Sequence, residues 1–510
     1  MIDSLAREGW GSDRAAQAII RCRIPPAKLS NGTYAMRIIK PALKLLAVLL
    51  CPFGYAADSV PEPLQDPIPE KILKGDIVVE ATQFMRVPQT ADANPEGANR
   101  AYARIQYLLP IRDGSGRLVI NDLRGLLYVT DEDGSELSVY LDIREQNVGF
   151  DDSMFANETG LAGFAFHPEF AQRNRPGYGK FYTAYSSASD PEVADYLDSA
   201  ADNHESVIRE WSVEDPSANR FEGTSREVFR IGQFAQNHNI GTIKFNPYAN
   251  PGSPDYGVLY VSMGDGGGAH DPYEYGQSLR EPMAGIMRID PLAGNGDTAY
   301  GIPADNPFIA DDSIANEIWA YGLRHTQQFS FDSDGRVFMS DIGQSQIEEV
   351  NIGVSGANYG WRLREGTFAT AFSIGGVRPG PVYPLPAVDE EEFTYPVAQY
   401  DHDEGNAISS GFVYRGSGIP ELQGKYVFSD LVTGRLFYIE ASNLTPGNPA
   451  QIQELRVIFN GREREVLGVG GYPNTYAAGN RAGLRLGIDA AGELYLLTKG
   501  DGWIRKLVEP

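Results

Sequence analysis

Short apolar runs, alternating or continuous, recur from about residue 100 to the C-terminus between clusters of glycine, proline, asparagine and aspartate, with no long stripe of period 3.6 among them. The pattern predicts strands. Six runs share one form, a glycine with an aromatic close behind: Gly125 to Tyr128, Gly179 to Tyr182, Gly257 to Tyr260, Gly335 to Phe338, Gly424 to Val427 and Gly492 to Tyr495. A single four-stranded sheet cannot bury both faces, so groups of about four strands repeating at roughly 40 to 50 residues predict sheets stacked radially, each covering the next. The predicted class is all-β, a six-bladed β-propeller with loop insertions. A strand at 104–109 is expected to pair with the C-terminal strands and remove the open edge of the last blade. Residues 191–201 and 278–283 read as short helices within insertions.

Ahead of the repeats, residues 57–99 are rich in proline, acid and alanine, with one β-like run at 76–79, and read as a tether or loosely docked arm. Residues 36–57 have a basic start (Arg37, Lys40, Lys44), an apolar run at 45–50 and a small-residue exit, Gly54-Tyr55-Ala56. The run is too short to span a bilayer and reads as a secretory signal peptide, with Met36 placed as an initiator. The expected organisation is an N-terminal extension and signal peptide at 1–56, the arm at 57–99 and the propeller at 100–510. Cys22 and Cys51 both precede the expected cleavage, which leaves a periplasmic or secreted product without thiol or disulfide.

Composition narrows the partners. With 42% apolar residues in 510, the chain can bury a large core, and a formal net charge of −25 opposes nucleic acid and anionic membrane surfaces.

The chemistry-bearing residues sit at strand ends. Glu158 precedes an apolar strand at the end where propeller ligand sites form, while His167, before a proline, reads as a turn residue. His238 lies among amides before the strand at 242–245, where an imidazole with a fixed tautomer can take a proton from a hydroxyl. Asp265, in the run MGDGGG, reads either as an acceptor for sugar hydroxyls or as part of a tight turn. Arg324 either stabilises negative charge on an oxygen or forms a salt bridge between blades. The loop at 341–344 offers backbone carbonyls to a cation. No unit of strand, GxGxxG and helix provides a nicotinamide site.

Taken together, GLAGFAFHPEF, NHNIGTIKFNP, MGDGGGAHDP, AGIMRIDP, YGIPADNPF, EIWAYGLRH and GANYGW resemble, in order, the glucose/sorbosone dehydrogenase family. These are sugar dehydrogenases that use pyrroloquinoline quinone (PQQ) with calcium on a six-bladed propeller. The resemblance implies that His238 is the general base, that Arg324 lies beside quinone and substrate oxygens, and that Asp265 contacts substrate or cofactor. It implies calcium on the backbone carbonyls of Gly343 and Gln344, a substrate contact at Glu158, and cofactor contacts from His325, Arg481 and Arg485. Three positions depart from the family: His325 replaces an asparagine, no lysine lies near Val432, and Arg481 and Arg485 are spaced more widely. SDIGQSQIEEVN and YVFSDLVTGRLFYI also look like extracellular propellers of the hedgehog-interacting type.

The expected function is therefore an exported oxidoreductase that oxidises the anomeric hydroxyl of an aldose to a lactone, passing hydride to PQQ and then electrons to an unidentified acceptor. The alternatives are a carbohydrate- or protein-binding propeller without turnover and a calcium-dependent lactonase.

Overall fold

All six glycines that open the repeated runs have positive φ, from 70° to 93°, and each is followed within two residues by a strand. A Cβ is strained in that region, so glycine is what lets the chain reverse there. The computed structural model describes residues 61–510 apart from 91–100, 154–157, 189, 191–193, 198–203, 295, 297, 376, 388–391 and 475–478. The segment read as a signal peptide and Met36 lie outside the described residues.

Strand β1 (Leu73–Arg86) comes first. An antiparallel sheet follows, made of β2 (Ile105–Pro110), β3 (Leu118–Asp122), β4 (Leu126–Thr130) and β5 (Leu137–Asp142). The next contains β6 (Leu161–Phe166), β7 (Lys180–Ser187), β8 (His204–Val213) and β9 (Gly223–Gln233). A third is built from β10 (Ile240–Phe245), β11 (Leu259–Met263), β12 (Gly285–Ile289) and β13 (Ile318–Tyr321). In the fourth, β14 (Gln328–Phe331), β15 (Val337–Asp341) and β16 (Ile347–Ile352) are joined, after the small hairpin β17 (Arg364–Glu365) and β18 (Phe368–Ala369), by β19 (Ala398–Asp401).

The remaining strands are β20 (Ile408–Val413), β21 (Lys425–Asp430), β22 (Leu436–Glu440), β23 (Gln453–Phe459), β24 (Arg462–Glu463), the hairpin β25 (Tyr472–Asn474) and β26 (Gly479–Arg481), then β27 (Leu484–Ile488), β28 (Leu494–Thr498) and β29 (Trp503–Val508). Apart from the separate β25–β26 hairpin, these strands and β1 form a nine-stranded sheet of order β20-β21-β22-β23-β1-β29-β28-β27, with β24 paired to β23. The arrangement is all-β and propeller-like.

The ends of β2, β6, β10, β14, β20 and β27 meet on one cavity through Leu109, Phe166, Phe245, Phe331, Phe412 and Ile488. These six strands therefore run the same way along a shared axis, and their starts lie at the opposite end. Between neighbouring sheets the walls are aromatic: Tyr140 of β5 packs edge-on against Phe181 of β7 at 5.4 Å, and Phe181 stacks in turn on Phe166 and faces Trp211 within its own sheet. Burying each such ring contributes about 2 to 3 kcal/mol.

Three expectations are corrected. The loosely docked arm is not loose, because β1 pairs in parallel with β23 and antiparallel with β29. It, and not the strand at 104–109, joins the C-terminal strands to β20–β23; β2 opens a sheet of its own. The register of β1 shifts between Lys74 and Val78 and again between Gln83 and Met85, which breaks the alternation that marks a strand. Residues 278–283 form no helix, because the Leu279 carbonyl that would close the turn accepts from Ala315 N at 2.8 Å. The stretch 191–201 falls largely outside the described residues. No helix among the described residues is long and apolar enough to cross a membrane.

Candidate active site

Five loops and one strand bring these residues to the end of the axis where the six strands start. The β5–β6 loop carries Glu158, the β9–β10 loop His238, the β11–β12 loop Asp265, the β13–β14 loop Arg324 and His325, and the β15–β16 loop Gly343 and Gln344, while Arg485 lies within β27. The β13–β14 turn is pinned by Asp341 at the end of β15. Its carboxylate accepts from the N–H of Arg324 at 2.8 Å, the N–H of His325 at 2.9 Å and the Thr326 hydroxyl at 2.9 Å. Burial raises its pKa to about 6 in spite of those donors.

His238 is the hub. Its Nδ1 lies 2.6 Å from Oδ1 of Asp265, and Nη2 of Arg324 lies 3.0 Å from its Nε2. Asp265 is fully buried; its other oxygen accepts from Trp361 Nε1 at 2.9 Å, and Oδ1 also accepts from Gly267 N at 3.0 Å. The carboxylate therefore fixes a tautomer with hydrogen on Nδ1 and leaves Nε2 an acceptor. Burial and then Arg324 push the imidazole below its ordinary value, against the pull of Asp265, so it is neutral near pH 7.

The backbone at His238 is left-handed, with φ of 55°. That conformation is strained for a side chain larger than glycine. The ring of His325 stacks on that of His238 at 4.9 Å. Gly264 makes this approach possible: a Cβ there would lie 2.3 Å from the His238 carbonyl oxygen and 2.6 Å from His325 Nδ1. Glu158 closes the group, accepting from His238 N at 2.6 Å and lying 3.2 Å from His325 Nε2. Burial opposes its charge, but His325 and His238 outweigh burial and hold its carboxyl below the usual range.

The guanidinium of Arg324 fills a ring of oxygens. Its Nη1 donates to the carbonyls of Ile342 at 3.0 Å and Gly343 at 2.8 Å, and Nε donates to Oε1 of Gln344 at 3.2 Å. These are hard donors already arranged around one positive charge, which suits calcium once Arg324 is displaced. Glu365 shapes the loop. One of its oxygens accepts from the N–H groups of Gln344, Ser345, Gln346 and Ile347 at 2.8 to 3.0 Å. Gly343 sits so close to the next strand that a Cβ would lie 1.7 Å from the Ile347 carbonyl oxygen.

On the other side of the axis lies an excess of cations. Arg485 is 2% exposed; its Nε donates to Gln106 Oε1 at 2.9 Å and its Nη2 to Gln327 Oε1 at 2.5 Å, while Nη1 is buried with no partner among the described residues. Lys499 is 4% exposed, and burial, then Arg485, Arg481 and Arg104, push its ammonium well below the usual lysine value. A buried donor without an acceptor, among several cations, fits an anionic ligand such as the carboxylates of PQQ. A cavity of about 20 Å³, room for roughly one water, links the two halves through Glu158, His325, Gln327 and Arg485.

The structure thus brings together His238, Arg324, Asp265, Glu158, His325, Gly343 and Gln344, and places Arg485 across the small cavity from Glu158. Arg481, at the end of β26, is grouped with Arg485 and Lys499 and not with His238. Asp265, expected against substrate or cofactor, instead turns both oxygens to protein partners. Sequence reasoning missed Trp361, Glu365, Gln327 and Lys499. For Trp361 and Gln327 the signal was present, since they close NYGW and follow Arg324 by three positions.

The HIPL1 protein of Arabidopsis thaliana is 29% identical over 449 residues, covering 79% of this chain and 61% of that protein. The human Hedgehog-interacting protein is 23% identical over 410 residues, 78% of this chain and 50% of that one. The chain therefore spans about half to three fifths of these relatives. Among solved structures, the PQQ-bound aldose sugar dehydrogenase from Streptomyces coelicolor shares the fold, with a TM-score of 0.53 and 20% identity over 84% of this chain and 98% of that one. The family model for Glucose / Sorbosone dehydrogenase matches residues 108–468, and the chain belongs to that family.

Proposed function

We propose that the chain is an exported aldose dehydrogenase of six four-stranded blades, β20–β23 forming one and β27–β29 with β1 the last. It oxidises the anomeric hydroxyl of an aldose to the lactone. The observation that carries this reading is the contact of a neutral, carboxylate-oriented imidazole with a guanidinium that rests on a ring of oxygens.

In this reading Nε2 of His238 takes the proton of the anomeric hydroxyl, and Asp265 stabilises the imidazolium that forms. Arg324 turns a donor toward the substrate oxygen as negative charge grows on it. Gly343 and Gln344, with Ile342, would hold calcium, and Arg485, Arg481, Lys499 and His325 would hold PQQ, the cations taking its carboxylates. Lys499 then stands in for the family lysine absent near Val432. Bound PQQ supplies the two-electron acceptor that no side chain of the protein can be. Glu158 keeps the His238 backbone in place and presents an acceptor to a sugar hydroxyl.

A second reading, a propeller that binds carbohydrate or protein without turnover, is supported by the donor that Arg324 already supplies to Nε2 of His238. The likeness to a protein named for interacting with hedgehog supports it as well. The two separate when purified protein is mixed with PQQ and Ca²⁺ and dye reduction is followed across a panel of aldoses. Reduction that falls by about 10²- to 10⁴-fold in a folded His238→Ala variant supports the dehydrogenase. No reduction with any aldose supports the binding module.

A further inference from the structure

At the far end of the axis, where the six strands finish, lies a cavity of about 570 Å³. That is the size of an ordinary small-molecule site. Its walls are largely aromatic and aliphatic, and exposed Arg112, Gln172 and Pro247 stand at its mouth. Four of the polar groups that line it are Lys244, Ser330, Tyr256 and His167. Lys244 Nζ donates to the Phe329 carbonyl at 2.6 Å and lies 5.1 Å from the ring centre of Phe412, with no carboxylate partner among the described residues. The buried Ser330 Oγ, Tyr256 hydroxyl and His167 Nε2 have no partner among the described residues.

His167 and Ser330 are 4% and 3% exposed, so these are enclosed groups and not wetted ones. Nδ1 of His167 accepts from Glu169 N at 3.0 Å, which puts the ring hydrogen on the unpartnered Nε2. All four groups can therefore donate. Asp113, the carboxylate on the wall, is already paired with Arg117 at 2.6 Å. A buried donor with no acceptor is costly, and so is an ammonium without a counter-charge. Burial alone pushes Lys244 down to about 7.

We propose that this cavity is a second binding site, separate from the His238 site, for a small apolar monocarboxylate whose carboxylate meets Lys244 and Ser330 and whose body lies against Phe245, Phe331 and Phe412. The match is one of charge and number: several enclosed donors, one of them the Lys244 ammonium, with Arg112 at the mouth, no free acid among the described lining residues, and apolar walls for the rest of the ligand.

The test uses octanoate and 4-phenylbutyrate as probes, with their primary amides as neutral controls, by titration calorimetry on the full chain. The expected result is saturable binding of at least one acid, at least tenfold weaker binding of its amide, a loss of at least tenfold in Lys244→Met, and no change in His238→Ala. A second readout needs no variant: the bound acid slows acylation of Lys244 in the wild-type protein several-fold, read by peptide mass. No binding by either acid, equal binding of acid and amide, or unchanged affinity in Lys244→Met with unprotected Lys244 overturns the proposal.

Discussion

Nη2 of Arg324 and Nε2 of His238 lie 3.0 Å apart, although the two residues are 86 positions apart in the chain. The same guanidinium reaches the Gly343 carbonyl and Gln344 Oε1, so the imidazole and the 342–344 loop are joined through one planar fork. Lysine offers one nitrogen and cannot span these partners. Arg324→Lys is expected to lower the rate of dye reduction about 10²-fold or more with thermal stability changed little, measured as kcat/KM and Tm on the same preparations.

The pH profile reports the same unit. Because burial and Arg324 lower the imidazole's affinity for a proton, His238 stays unprotonated below the ordinary histidine value. The predicted kcat/KM is flat down to about pH 6.5 and falls only below it. Asp265 raises that affinity, so Asp265→Asn moves the acid limb further down while lowering the plateau by about 10²- to 10⁴-fold. A role limited to holding the fold would lower the plateau without moving the limb.

Glu365 is predicted to matter for the metal without touching it. Four successive N–H groups converge on one of its oxygens and curl the 344–347 backbone so that Ile342 and Gly343 present their carbonyls together. Glu365→Gln replaces a charged acceptor of four donors by a neutral one, at a cost of about 2 to 3 kcal/mol locally. The rise in Tm that Ca²⁺ gives the wild-type protein is expected to be lost or much reduced in the variant, by scanning calorimetry with and without the ion.

Much of this was legible in the chain before any coordinates. The six Gly-led runs each mark a strand, because a reversal into a strand needs a left-handed residue and glycine provides it. His238, Arg324 and Gly343 stood out because each follows or precedes an apolar run at a loop. What stayed hidden has physical causes. The partnership of His238 with Asp265 spans 27 residues and two loops, and no periodicity records a contact of that kind. Lys499 lies in the turn just after β28, and its meaning comes from Arg485, Arg481 and Arg104 arriving from elsewhere. Strand β1 was hidden by its register shifts and by the proline- and acid-rich residues on either side.

In the proposed function, the cations around Arg485 and the oxygens around Arg324 frame one cofactor site beside His238. Titration of the purified protein with PQQ, followed by the quinone's absorbance at fixed Ca²⁺, tests it most directly. The account predicts saturable binding at one equivalent, dependent on Ca²⁺ and weakened at least tenfold by Lys499→Met. Absence of binding, or binding indifferent both to Ca²⁺ and to Lys499→Met, would contradict it.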